Sequence, residues 1–96
     1  ILRDVGEDAR LGRCYLPDED LAMFGLTRDE VLHDPNLARD ERWRPFMAFE
    51  IGRARALYQA AAPGIWLLAP DAQRCASACA WGYASILTAI EKQEYD

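Results

Sequence analysis

The chain has 96 residues, 51% of them apolar and 28% charged, with a formal net charge of −5. That balance excludes a disordered or collagen-like chain, and the length allows one small domain, or a portion of one, with no internal boundary. The acidic charge excludes a free-standing nucleic-acid binder, which needs a basic face to neutralise phosphates.

Ile1-Leu2-Arg3-Asp4 opens the chain without an initiator Met or a signal-peptide pattern, so a piece cut from something longer is expected. Residues 1–9 read as the end of a helix, and residues 10–17 as irregular, with Pro17 pushing Leu16 towards an extended backbone. Asp18 is the expected N-cap of a short helix through Phe24, stopped by Gly25. Thr27 and Glu30 form a capping-box pattern for a second short helix ending near His33. A long helix is predicted from about Asp40 to Ala62, with Pro45 in its first turn. Its broad apolar face carries Phe46, Met47, Phe49, Ile51, Ala54, Leu57 and Tyr58. Pro63-Gly64 breaks it, residues 65–69 make an apolar connector, and Pro70 opens a second long helix to about Glu94. Cys75, Cys79, Tyr83, Ile86, Leu87 and Ile90 lie on its apolar side. No segment alternates like a strand, so the fold class is all-α, with the two long helices antiparallel. They cannot bury their apolar faces against each other alone, so a further partner or further sequence is expected.

The charge is uneven: residues 1–41 hold 11 acids and 5 bases, residues 42–96 hold 5 acids and 6 bases. An acidic front suits a cation site or simple solubility. Cys14, Cys75 and Cys79 are an odd number, which rules out a complete disulfide framework within the chain and fits a reducing cytosol. Cys75 and Cys79 share a helix face and would need a third ligand to hold a metal; buried free Cys more often acts as a small hydrophobe.

Asp4 and Asp8 carry the chemical interest. On a helix they stand one turn apart, with Glu7 alongside, and like charges at that spacing repel by a few tenths of a kcal/mol. A hard dication between them would offset that cost: Mg²⁺ takes carboxylate oxygens, keeps waters and shares its remaining positions with phosphates. Gly6 leaves room beside the carboxylates. The spacing alone is equally at home on a solvated helix face.

The wider context is more specific. Residues 1–10, ILRDVGEDAR, followed by Gly12-Arg13-Cys14-Tyr15-Leu16-Pro17, resemble the second aspartate-rich motif of the phytoene/squalene synthase family, and its phytoene-forming branch in particular. Trp43-Arg44-Pro45-Phe46-Met47, Ile51-Gly52-Arg53-Ala54-Arg55, Gly64-Ile65, Tyr83, Ile86-Leu87, Ile90-Glu91 and Tyr95-Asp96 follow the family's later pattern in order. The resemblance implies a C-terminal portion of an all-α terpenoid synthase fold. It implies an enzyme that joins two prenyl diphosphates head to head through a cyclopropyl diphosphate, here two geranylgeranyl diphosphates giving phytoene in carotenoid biosynthesis. It implies Mg²⁺ or Mn²⁺ bound by Asp4 and Asp8, diphosphate contacts from Arg3 and Arg13, and Tyr15 and Tyr83 lining the reaction cavity, Tyr83 among the catalytic residues. The family's first aspartate-rich motif is absent, so the chain is expected to be inactive without the N-terminal part of the domain. A cytoplasmic location follows, with peripheral membrane contact left open because such a product is a lipid, although no basic amphipathic helix marks it.

Plainer roles compete at each position. Arg3 and Arg13 can form salt bridges with neighbouring acids, Tyr15 can pin its loop, and Tyr83 can pack in a core. Glu7 reads as a solvated carboxylate, Arg53 and Arg55 as solvent-facing or paired with Glu50, and His33 as a helix-end residue. Trp43, Trp66 and Trp81 read as packing anchors, with Trp66 able to face a membrane or a missing domain. The squalene or presqualene diphosphate branch shares the aspartate motif, and a non-catalytic helical interaction domain remains the reading from a different class.

Overall fold

Three helix ends share one stop signal. After the first helix, α1 (Val5–Arg10), Gly12 takes φ +73°, its N–H reaches the Ala9 carbonyl (2.9 Å), and the Arg13 N–H reaches the Asp8 carbonyl (2.8 Å). After α2 (Asp18–Met23), Gly25 takes φ +74° and the Leu26 N–H reaches the Leu21 carbonyl (2.9 Å). Leu21 and Leu26 are both buried, the apolar contact that accompanies this cap. The same bonds close the last helix, with Glu94 and Tyr95 in the left-handed region instead of glycine.

The structure, a computed structural model, describes residues 1–95; Asp96, the second half of the family-like Tyr-Asp pair, lies outside the described residues. Between α2 and the chain's end run α3 (Arg28–His33), a 3-10 turn (Leu37–Arg39), α4 (Trp43–Ala61), a second 3-10 segment (Ala62–Leu67) and α5 (Pro70–Lys92). Among the described residues there is no strand, as expected, and no helix is long and apolar enough to cross a membrane. Pro45 sits in the first turn of α4, and Pro70 is the first residue of α5.

Local differences from the sequence reading have local causes. Asp18 is the first residue of α2 rather than its cap, because its carboxylate takes a hydrogen bond from Arg28 Nε (3.1 Å). Thr27 does cap α3, accepting from the Glu30 N–H (3.2 Å), while Glu30 meets the Thr27 hydroxyl. At the front, Asp4 occupies the cap position of α1 instead of a helix interior, and its N–H turns back to the Ile1 carbonyl (3.2 Å).

The core lies at one end. Phe46, Met47 and Ile51 of α4 are sealed, with Trp43 beside them, and Leu16, Leu21, Leu26, Val31 and Leu37 cover them from the front half. From α5, Leu87 and Ile90 complete the cluster. α4 and α5 run antiparallel, joined by Arg55 to Glu91 and Thr88, and by the Trp43 indole N–H donating to the Tyr95 carbonyl (3.0 Å). Beyond that end, the apolar faces stand open. Leu57, Trp66, Leu67, Trp81 and Tyr83 are exposed, so Trp43 is the packing anchor expected while Trp66 and Trp81 are not. The radius of gyration, 15.4 Å, exceeds the roughly 13 Å of a compact chain this long.

Candidate functional site

Asp4 and Asp8 are set one turn apart by α1, whose first helical hydrogen bond runs from the Asp8 N–H to the Asp4 carbonyl (2.7 Å). Asp4 makes no side-chain cap bond, so its carboxylate is not spent on the helix end. It is gripped instead by Arg3, Nε to Oδ1 at 2.9 Å and Nη2 to Oδ2 at 3.2 Å. The hydrogen bond from Arg3 holds the Asp4 carboxyl below the usual carboxylate range, and Asp4 in return raises Arg3. The pair is open to solvent, with Arg3 the more exposed partner. Tyr83 stands on α5 with its side chain exposed.

Asp8 is half-buried, and among the described residues its carboxylate has neither an ion pair nor a hydrogen bond. It lines a small hollow with Arg13, Tyr15 and Val31, and Arg13 reaches that edge because the cap at Gly12 folds the chain back over Asp8. Glu7 points to solvent. The floor is fixed from below: α1 packs on α3, and α3 is held by Arg42, which joins Glu30, Asp40 and the Gly25 carbonyl. The hydrogen bonds from Arg42 draw the Asp40 carboxyl down to about 2.

The structure thus brings Asp8, Arg13 and Tyr15 to one hollow and sets the Arg3–Asp4 pair at the N-terminal end of the helix that carries Asp8, while Tyr83 stands on α5. Tyr15 and Tyr83 are exposed, not packed as plain core residues. Two carboxylates are hard oxygen donors of the kind Mg²⁺ takes, one of them unpaired, and they fit part of such an ion's shell. Among the described residues no three His, Cys, Asp or Glu side chains converge as a metal cage, at Asp4-Glu7-Asp8 or at Cys75 and Cys79. Both of those cysteines are exposed, so neither acts as the buried hydrophobe expected. A larger open hollow of about 980 Å³ between Arg39, Arg44, Glu94 and Tyr95 contains none of the predicted site residues.

The sequence reading missed one charged cluster. Arg53 does not pair with Glu50; it donates both Nη atoms to Asp20 of α2, at 2.6 and 3.1 Å. Glu50 is buried beneath, and its Oε1 has no partner. Its position between Met47 and Ile51, inside the apolar face of α4, was the available signal. Arg55, likewise, pairs with Glu91 rather than facing solvent.

Comparison with known proteins matches the family model described as squalene/phytoene synthase over residues 1–96. The chain is 50% identical over its full length to a phytoene synthase of Arthrospira platensis and 46% identical to a 15-cis-phytoene synthase of Synechococcus elongatus. It spans 30% of the length of each. Its fold matches a crystal structure of the squalene synthase HpnC from Alicyclobacillus acidocaldarius with a TM-score of 0.86 and 32% identity, covering 99% of this chain and 35% of that one.

Proposed function

The chain belongs to the squalene/phytoene synthase family, and from that premise we propose that it is part of a transferase condensing two geranylgeranyl diphosphates head to head into phytoene. The observation that carries this is the disposition of Asp4 and Asp8: one turn apart, Asp4 at the helix end with its carboxylate making no cap bond, and Arg3 gripping Asp4 beside it. The names of the two phytoene synthases to which the chain is similar support the phytoene branch.

In this reading Asp4 and Asp8 hold Mg²⁺ or Mn²⁺, which supplies Lewis-acid neutralisation of the departing diphosphate. The remaining work falls to the chain's own groups. As the allylic C–O bond breaks and its electron pair leaves with the diphosphate, negative charge grows on oxygens that Arg3 and Arg13 can meet with planar, forked donors. Tyr15 and Tyr83 present aromatic faces to the allylic cation, stabilising it through their ring quadrupoles without offering a strong nucleophile. The double bond of the second prenyl diphosphate then attacks that cation and loss of a proton closes the cyclopropyl diphosphate; departure of its diphosphate, rearrangement and loss of a second proton give phytoene. A second reading, stopping on the squalene or presqualene diphosphate branch with a C15 substrate, is supported by the squalene synthase to which the fold is similar.

The test restores the upstream sequence that relatives carry and supplies C20 and C15 diphosphates with and without Mg²⁺. Phytoene formed only with the dication, and abolished by Asp4→Ala or Asp8→Ala, is the expected result. Full activity of either variant overturns the assignment, and exclusive use of the C15 diphosphate moves it to the second reading. The 96 residues alone are expected to be inactive.

A further inference from the structure

We infer that Glu50 is a positioning residue, a buried carboxyl that acts through Asp20 to fix α2, and the loop 11–17 in front of it, onto α4. The inference relies on the proposed function only for what that loop faces. Glu50 is 8% exposed and Asp20 5% exposed, and Arg53, three residues on from Glu50 in α4, draws the Asp20 carboxylate of α2 onto this part of α4. Two carboxylates in contact away from water cannot both stay ionised unless cations match them. One cation is present. Arg53 directs its fork at Asp20, lies over the Phe49 ring at 4.8 Å, and leaves Glu50 Oε1 without a donor. Glu50 therefore keeps the proton and donates it to Asp20.

Apolar contacts close the same junction. Phe24, just past α2, meets the rings of Phe46 and Phe49 at 5.9 and 5.5 Å, and Leu16 and Leu21 are buried on either side of Asp20 in the chain. Arg13 and Tyr15 stand immediately before Leu16, so the clamp on α2 sets where they sit. The charged groups acting on Glu50 are Asp20 from α2 and Arg53 from α4 itself; the Arg55–Glu91 pair towards α5 is not among them. Burial, then the Asp20 hydrogen bond and charge, push Glu50 up to about 7 against the opposing pull of Arg53, while Asp20 is held low. A carboxyl raised in the fold stabilises it fully below its ordinary value of 4.5, and that contribution is lost as pH rises to about 7. The clamp should then hold in mild acid and loosen above neutrality.

Hydrogen exchange on the full-length protein, corrected for intrinsic rates, tests this at pH 5.5 and 8.5, alongside a carbon-detected titration of the Glu carboxyls. The expected result is a loss of protection of about tenfold or more in α2 and the loop 11–17 at the higher pH, a Glu carboxyl titrating near neutrality, and both effects absent in Glu50→Gln, which keeps a donor to Asp20 without a titrating proton. A flat wild-type profile, no Glu titrating near neutrality, or an equal loss in Glu50→Gln overturns the inference; the wild-type titration decides even if the variant fails to fold. Inorganic diphosphate binding measured in parallel separates the two claims: pH-dependent exchange without diphosphate binding defeats the functional reading alone, and diphosphate binding with pH-independent exchange defeats the positioning role alone.

Discussion

Gly12 holds the turn that brings Arg13 back over Asp8, and it does so at φ +73°, where an L-residue is less stable by about 1–2 kcal/mol. No neighbouring atom would obstruct an added Cβ there, so the cost is conformational alone. Gly12→Ala is expected to lower unfolding stability by about 1 kcal/mol in denaturant titration, and to weaken diphosphate binding in the completed protein by displacing Arg13. Asp40 gives a second residue-scale expectation. Its carboxyl lies at about 2, against an ordinary 3.8, because it accepts from the Arg42 side chain and N–H. A lowered carboxyl stabilises the fold above its ordinary value and loses that contribution as pH falls towards 2. Acid titration followed by circular dichroism should therefore show early loosening in the wild type, and a smaller pH response in Asp40→Asn. The Thr27 cap and the Gly25 stop were legible in the sequence, because their bonds join residues three to five apart; the matching stop at Gly12 was not read. The Arg53–Asp20 pair, 33 residues apart, was not, and local spacing favoured Glu50 as the partner of Arg53.

Among the elements, α4 and α5 divide unequally. α4 buries its first half, and α5 docks by its last turns through Leu87 and Ile90. Phe46→Ala is expected to cost about 3–5 kcal/mol and Leu87→Ala about 2–5 kcal/mol in equilibrium unfolding, whereas Cys79→Ala, on the exposed part of α5, should change stability by less than about 0.5 kcal/mol. Comparable costs at Leu87 and Cys79 would contradict this docking. Helix number, order and approximate ends were readable from apolar period and from Pro63, Gly64 and Pro70. Which part of each apolar face is covered was not, since periodicity reports that a face is apolar and not what lies against it. Cys75, Cys79 and Tyr83 were read onto the same side as Leu87 and are exposed in this structure.

For the whole molecule, a chain spanning 30% of its relatives' length carries a core at one end and an uncovered aromatic and aliphatic strip at the other. Such a strip favours association. The isolated chain is expected to bind an environment-sensitive dye and to sediment as more than a monomer, while a compact, dye-silent monomer would count against the strip being a free surface. Family membership was legible from the run between Ile1 and Pro17, and the structure adds how it is supported: α1 on α3, α3 held by Arg42, and the following loop held through Asp20. The most direct measurement is equilibrium binding of inorganic diphosphate to the completed protein as Mg²⁺ is titrated. Affinity that rises with Mg²⁺ in the wild type, and loses about tenfold or more of that rise in Asp4→Asn and in Asp8→Asn, is the predicted result; binding that ignores the dication, or is unchanged in both variants, would contradict it.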